Sequence, residues 1–530
     1  MVAGFPEKAA REDCRDVPGG RAGTAGGGWH LNRLKGVDQP MPKKTRTIRF
    51  IEPSGRPGRP FNAWIRKWPL LGPITLASVL QERGYEDVAV YNENLSGPVL
   101  ENPAIMDDLC GADVVGISIM TPTANRGYQI ADAIRERCPG VTIAFGGVHA
   151  TFRPQEARRH GDVVVQGEGE AVIEAIADGR IRQGIVRGEP VEDLDTLPVL
   201  NHGLMHGFET LLAECRRREH YELPVMTSRG CPFECDYCTV TRMFGRRVRR
   251  QSVDKVHADI QAYASRGFRR MFFYDDNFTT DRAWSRDLLE RLKPMDLRFN
   301  AQVRVDFHWK DRDRRRRDDD LLRAMRRAGG DVFYIGYETI DDATARQWHK
   351  GYRGEGALTT RLMEDTHILH NNGFWIHGMF VLGPQHTERT AKEIVHFARR
   401  SRLETLQISV LTPFPGTPLM EQFRPHLTFT EFPGDWDYYD GTHCVYNHGR
   451  LGIERLQKVV LDAHRRFYRW SGVSVHRLRK YFEQKISQAD KLALMWKNAQ
   501  IARKTLKAWK EETAAFLETC RARTLLAAEP

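Results

Sequence analysis

From about residue 45 to residue 411 the chain alternates short β-rich runs with segments of helical periodicity, a pattern that has one common solution, parallel strands covered by helices. The first stretch offers Thr47 to Ile51, a helix from Pro73 to Arg83, Asp87 to Tyr91, Val114 to Ile119, a helix from Asn125 to Arg137, Val141 to Phe145, and Asp162 to Val165 before Gly167-Glu168-Gly169-Glu170. A polar, Leu-Pro-punctuated segment over 191–200 closes it. The second stretch offers the run 223–227, then Arg270 to Tyr274, Arg298 to Val305, Val332 to Tyr337, Trp375 to Leu382 and Thr405 to Leu411. At 530 residues the chain is too long for one core. The expected division is a tail over 1–40, an α/β domain over 41–195, a linker over 196–216, a second α/β domain over 217–425, and a helical C-terminal cap over 426–530, with helices through Leu456 to Phe467 and Ile501 to Leu517. The tail is rich in Gly and Arg without hydrophobic periodicity. Met41 stands just before the first strand-like run, so translation is expected to start there.

The second stretch opens on Arg229-Gly230-Cys231-Pro232-Phe233-Glu234-Cys235-Asp236-Tyr237-Cys238, a C-x3-C-x2-C spacing. Three thiolates at this spacing suit a cubic iron–sulfur cluster and leave one iron without a protein ligand, open to a reacting small molecule. The alternative is a zinc knuckle, but zinc takes four ligands from paired short spacings, and no second pair lies nearby in sequence. Cys14, Cys110, Cys138, Cys215, Cys444 and Cys520 are scattered without the spacing of a disulfide framework, which suits a reducing cytoplasm. Cys444, His443 and His448 fall short of a closed four-ligand metal set. No run reaches the roughly 18 apolar residues of a membrane span, and no hydrophobic core of a signal peptide is present. The net charge of +11 raises nucleic acid as a partner, yet much of it is arginine in mixed runs such as 310–320, which read as a solvated loop.

The cysteine run behind an apolar strand resembles the signature of the radical S-adenosylmethionine (SAM) enzymes, and the upstream domain resembles the cobalamin-binding Rossmann-like fold. Ser118-Ile119-Met120 stands where that fold has its Ser-x-Leu motif, and Gly146-Gly147 where it has its Gly-Gly. With 378–383, 412–418 and the Gly245-Arg246-Arg247 stretch, the likeness covers about residues 45–425 and points to the cobalamin-binding radical SAM family, which includes hopanoid methylases and the anaerobic magnesium-protoporphyrin ester cyclase. One departure is clear. The Asp-x-His-x-x-Gly motif that supplies a cobalt ligand is replaced after the first strand by Glu52-Pro53-Ser54-Gly55-Arg56-Pro57-Gly58. The resemblance then implies cobalamin bound without that histidine, or a domain that kept the fold and lost the cofactor; the strand-end glycines favour the first.

The implied architecture is a Rossmann-like domain followed by a partial (β/α)6 barrel, whose chemistry sits at the C-terminal ends of its strands. Cys231, Cys235 and Cys238 are implied as ligands of a 4Fe-4S cluster. Asp275 and Asp276, ending the second barrel strand, are implied to hold the SAM ammonium, although Asp-Asp-Asn is also a common turn or cap. Glu338 is assigned to the SAM ribose, Gln302 (with Arg304) to polar contact, and Tyr237 to the adenine or to shielding the cluster. Ser118, Met120, Gly146 and Gly147 are assigned to cobalamin, against the plainer reading of a tight turn. The C-terminal aromatics Phe432, Trp436, Tyr438 and Tyr439 read first as core and second as a pocket for an apolar substrate.

The reaction implied is formation of a 5′-deoxyadenosyl radical from SAM, hydrogen abstraction from an unactivated carbon of a small-molecule, lipid or peptide substrate, and methylation from cobalamin. A flavodoxin- or ferredoxin-type protein would donate the electron. A same-family oxidative cyclase or rearrangement enzyme is the alternative, separated by product mass. An RNA methylthiotransferase fits poorly, since Cys14, Cys110 and Cys138 do not space a second cluster. The non-enzymatic alternative is an iron–sulfur or zinc scaffold that binds nucleic acid through its basic surface.

Overall fold

The fold is given by a computed structural model that describes residues 43–215, 218–447, 450–468 and 506–523. The tail, Met41, His448 and the first residues of the helix expected from Ile501 lie outside them. The first domain is a six-stranded sheet of β1 (Ile48–Glu52), β2 (Val88–Asn92), β3 (Val114–Ser118), β4 (Thr142–Gly146), β5 (Val163–Gly167) and β6 (Gly184–Gly188). Its order is β2-β1-β3-β4-β5-β6 and every pairing is parallel. Helices on both faces bury β1 completely, which is why the central strands read as continuous apolar runs rather than alternating ones. The strand order reverses between β1 and β3, so the crevice for a ligand opens over the loops that follow those strands.

The sequence reading did not anticipate β6. It is a glycine-flanked, half-exposed edge strand whose five residues carry little hydrophobic pattern. The scattered-cysteine reading also needs one correction, because Cys110 and Cys138 are joined as a disulfide, with their Cα atoms 5.5 Å apart. Cys110 ends the helix Pro103–Cys110 and Cys138 caps the helix Ala124–Arg137, and only their packing side by side reveals the pair. Over 196–215 the expected linker is tied to both domains. Leu200 N donates to the Tyr263 hydroxyl of the second domain (3.1 Å), and Asn201 N donates to Ser78 Oγ of the first (2.9 Å).

The second domain begins with β7 (Glu222–Val225) and a two-stranded ribbon of β8 (Ser228–Arg229) and β9 (Arg249–Arg250) that carries the cysteines between its strands. It continues through β10 (Arg270–Phe273), β11 (Arg298–Val303), β12 (Gly330–Glu338), β13 (Trp375–Leu382) and β14 (Thr405–Val410). The order β14-β13-β12-β11-β10-β7 is sequential and parallel, the six βα units of a partial barrel left open between β7 and β14. Trp68 of the first domain enters this interior, 4.9 Å from the ring of Phe272 and 6.1 Å from that of Tyr334. All three are buried, so the layer beneath the mouth is filled and dry.

The C-terminal segment divides its contacts rather than simply capping the barrel. The turn Gly434–Tyr438 packs on the first domain, where Trp436 Nε1 donates to Glu156 (2.8 Å) and Tyr438 lies beneath Arg56 and Arg59. Phe432, Trp436, Tyr438 and Tyr439 therefore serve as core. The helix Gly452–Tyr468 covers the edge strand β14: Tyr468 hydroxyl accepts from Leu406 N (2.9 Å) and donates to Leu406 O (2.8 Å), and His464 Nε2 accepts from Ile408 N (3.1 Å). This satisfies backbone groups that an open edge would leave to another chain.

Because His464 Nδ1 faces Val460 O (3.0 Å) and Nε2 must accept, the ring is held neutral, and burial lowers its pKa to about 4. His202 is buried likewise and also lowered to about 4. The unfolded chain, with ordinary histidines near 6.5, then binds more protons than the folded one at acid pH. Stability is fully present above pH ~6.5 and is expected to fall toward pH 4 by up to ~1.4 kcal/mol per pH unit for each of the two. Urea unfolding of the wild type and of His464→Gln from pH 7.5 to 4.5 checks this; parallel curves for the two would overturn the assignment to His464.

Candidate active site

Asp275 prepares the cysteine loop before the cysteines begin. It follows β10, is wholly buried, and accepts from Thr227 N (3.2 Å), Thr227 Oγ1 (2.9 Å) and Ser228 Oγ. These donors lead directly into β8. Arg229 then pairs across the ribbon with Arg249, and Gln251 N donates to Thr227 O (2.9 Å), so residues 230–248 form a closed loop. Gly230 has φ +95°, and a Cβ there would lie 2.5 Å from Arg247 O, so the returning strand requires glycine just before Cys231.

Within the loop Cys231, Cys235 and Cys238 are half-buried free thiols, and Cys238 N donates to Cys235 O (3.0 Å). Burial pushes Cys238 up to about 12 and raises Cys231 as well. Cys231 and Cys238 are thus thiols whose protons leave when metal binds, not nucleophiles made ionic by their surroundings. Among the described residues no group of three or more His, Cys, Asp and Glu side chains, the three cysteines included, stands in metal-holding geometry. His443 is committed to Asp440 and Arg59, and the Cys444 thiol to Tyr446 O.

Barrel strand ends bring further side chains to the same mouth. Unlike Asp275, Asp276 is open to the mouth and has no ion pair or hydrogen bond among the described residues. Crowding by the barrel wall, and then the neighbouring Asp275, push its carboxyl up to about 7. Glu338 sits at a register shift in β12 with φ +57°, an unusual conformation for a side-chain-bearing residue and one concentrated at functional sites. Its carboxylate folds back over Gly336 and pairs with Lys350 (3.2 Å). Gln302 is half-buried on β11. Two strand positions on, Arg304 is held by Asp306 (3.0 Å) with its guanidinium 4.3 Å from the ring of Phe233 inside the cysteine loop. Lys350, Arg304 and Asp306 were outside the sequence-based site or marginal to it, because their roles depend on a loop that folds back over β11 and β12.

Tyr237 packs edge-on against Trp348, 5.9 Å between ring centres, and its buried hydroxyl lies beside Cys235. Beside it opens a cavity of about 340 Å³ lined by Asp236, Trp348, Pro384, Leu411 and Phe423. This partly aromatic cavity adjoining the cysteine loop, with the free carboxylate of Asp276 after β10, fits a ligand that is both polar and aromatic.

In the first domain Ser118, Met120, Gly146 and Gly147 form one half-exposed patch at the ends of β3 and β4. The two glycines differ in kind. Gly147 has φ +93° and a Cβ there would meet Ile119 O at 2.6 Å, a structural demand; a Cβ on Gly146 would meet nothing within 4 Å. His149 of the same loop is turned inward, its Nε2 3.2 Å from Glu156, and burial lowers its pKa. It is not available to a ligand above the loop.

A three-thiol loop at the mouth of a six-unit β/α barrel, behind a parallel α/β domain with an open strand-end patch, defines a radical SAM enzyme with an accessory cofactor-type domain. The comparisons make this specific: a family model described as B12 binding domain matches residues 67–177, and one described as Radical SAM superfamily matches residues 225–398. The chain belongs to the cobalamin-binding radical SAM family. It is 26% identical over 436 residues to a bacteriochlorophyllide d C-12(1)-methyltransferase of Chlorobaculum tepidum, covering 77% of this chain and 88% of that protein. It is 24% identical to a hopanoid C-2 methylase of Rhodopseudomonas palustris, covering 69% of this chain and 68% of that one. In fold it resembles the radical SAM methyltransferase TsrM of Kitasatospora setae, solved with cobalamin and a [4Fe-4S] cluster (TM-score 0.60, 16% identity, 88% of this chain and 100% of that one). It also resembles the cobalamin-dependent radical SAM enzyme OxsB (TM-score 0.62, 14% identity, 90% and 76%).

Proposed function

We propose that the protein is a cobalamin-dependent radical SAM C-methyltransferase acting on an unactivated carbon of a small-molecule, lipid or peptide substrate. The observation that carries this reading is the placement of the cysteine loop, whose preceding residue Arg229 is ion-paired to Glu168 at the end of β5 in the B12-binding domain. That pair joins the end of a strand in the B12-binding domain to the base of the cysteine loop. When bound, the cluster and SAM supply a 5′-deoxyadenosyl radical that abstracts hydrogen, and cobalamin supplies the methyl group.

The chain's own residues hold and exclude. Cys231, Cys235 and Cys238 hold the cluster and leave one iron to SAM; Asp276 accepts from the SAM ammonium; Tyr237 walls the cavity proposed for the adenine. Glu338, with Gln302 nearby, is positioned for the ribose, provided its carboxylate exchanges one contact with Lys350 for a hydroxyl. The packed layer of Trp68, Phe272 and Tyr334 keeps water from below. The electron comes from an external flavodoxin- or ferredoxin-type donor. The test is mass spectrometry of SAM products from the anaerobically reconstituted chain, with and without cobalamin. Formation of 5′-deoxyadenosine and a substrate heavier by one CH2 unit is expected; an unmethylated, oxidised or cyclised product would replace this reading with the cyclase one.

The glycine pair offers a separate check on cobalamin. Gly147→Ala is expected to destabilise the chain outright, since the added methyl meets backbone in a strained conformation. Gly146→Ala is expected to leave stability within about 1 kcal/mol, yet to weaken cobalamin binding about tenfold or more, or ~1.4 kcal/mol, by blocking close approach to the strand end. Equilibrium cobalamin titration of the cofactor-free chain decides it, and unchanged affinity in Gly146→Ala removes that residue from the site.

A further inference from the structure

Arg229 and Arg249 face each other across β8 and β9 at the base of the cysteine loop, and both are buried. Their partners come from the other domain. Glu168, directly after β5, accepts from Arg229 Nη1 (2.5 Å) and from Arg249 Nη1 (3.0 Å) and Nη2, and also from Val191 N (3.0 Å). Glu170 accepts from Arg229 Nη2 (2.6 Å). Two guanidinium groups and two carboxylates thus form a closed, buried set, with side chains 9% exposed or less. On the barrel side the same ribbon is held by Asp275 through Thr227 and Ser228.

Such a set is a poor way to gain stability, because burying four charges costs about as much desolvation as their pairing returns, and apolar side chains of similar size would serve as well. What it supplies is direction: several charge-assisted hydrogen bonds at once define where a guanidinium stands. Here the guanidinium group belongs to the second residue before Cys231. The loop's Arg246–Glu234 and Arg247–Glu192 pairs are exposed and worth little, and its Asp236 meets only the exposed His349 (3.1 Å).

We propose that Glu168 and Glu170 are positioning residues that set, through Arg229 and Arg249, the placement of the cysteine loop relative to the strand ends of the B12-binding domain, and hence the separation of the two cofactors. This rests on the reading that both cofactors bind. Displacements of about 1 Å cost on the order of 10²-fold in such reactions, so a device for holding this separation has a clear use.

The test is the magnetic dipolar coupling between the reduced cluster and cobalamin in its Co(II) state, measured by pulsed electron paramagnetic resonance on the full reconstituted chain. Relative to wild type, Glu168→Gln and Glu170→Gln are expected to shift and broaden the coupling, while Glu192→Gln on the exposed side of the loop leaves it unchanged. Unaltered coupling in both inner variants at full iron and cobalt occupancy overturns the proposal. Should Glu168→Gln not fold, Glu170→Gln, which keeps the Arg229–Glu168 pair, decides alone. Wild-type protein that retains only one cofactor would defeat the cobalamin reading instead. The clamp is then read in the cofactor-free chain, where amide exchange at residues 227–231 is expected to accelerate about tenfold or more in the inner variants; unchanged exchange overturns it.

Discussion

Cys231→Ala, Cys235→Ala and Cys238→Ala are each expected to reduce iron–sulfur content and SAM cleavage to background. Three thiolates already leave one iron without a protein ligand, so a second vacancy cannot be absorbed. The loss should be chemical rather than structural. The thiols are half-buried, and the loop is closed by backbone pairing of β8 with β9, by Asp275 and by the Glu168–Arg229 set, none of which touches a sulfur. The cofactor-free variants are therefore expected to unfold within about 1 kcal/mol of wild type. Cys215→Ser, a free cysteine in the connecting segment, should keep both cluster and activity. Iron and sulfide analysis with 5′-deoxyadenosine quantification tests the set, and cleavage surviving in any of the three would sink the assignment.

The second large effect falls on Asp275, which was assigned from sequence to the SAM ammonium and which the structure commits to Thr227 and Ser228. Asp275→Ala leaves an amide and two hydroxyls facing a buried void; at ~1–3 kcal/mol for each unsatisfied buried group, a loss on the order of 3–5 kcal/mol is expected, since the hydroxyls can in part turn elsewhere. Asp275→Asn retains an accepting oxygen and should lose less. Both should lower the unfolding midpoint and cluster occupancy together, leaving SAM affinity per occupied cluster unchanged. Asp276→Asn should do the reverse, weakening SAM binding with little change in stability. Denaturant unfolding and SAM titration of these variants separate the residues. A stable Asp275→Ala with weakened SAM binding would restore the sequence assignment.

The contrast between these neighbours shows how far sequence reaches. Both follow β10 and both were assigned to the SAM ammonium, yet successive residues point to opposite sides, and Asp275 is spent on Thr227 and Ser228. The strands themselves were legible: the runs expected at 270–274, 375–382 and 405–411 are β10, β13 and β14 to within a residue or so, because buried parallel strands need continuous apolar side chains. The weakly patterned β6 and the Cys110–Cys138 bridge were not, since each depends on a partner distant in the chain.

The sequence by itself determined the two parallel-sheet domains and the three-cysteine loop, because strand burial and ligand spacing are local properties written in consecutive residues. Tertiary structure alone decided that Glu168 meets Arg229, 61 residues on, and Arg249, 81 residues on. It also decided that Trp68 fills a barrel to which its own domain does not belong, and that Asp276 rather than Asp275 is left free at the mouth. The physical reason is that a charge or ring carries no record in sequence of which distant group will desolvate it, and only the packed chain makes that choice.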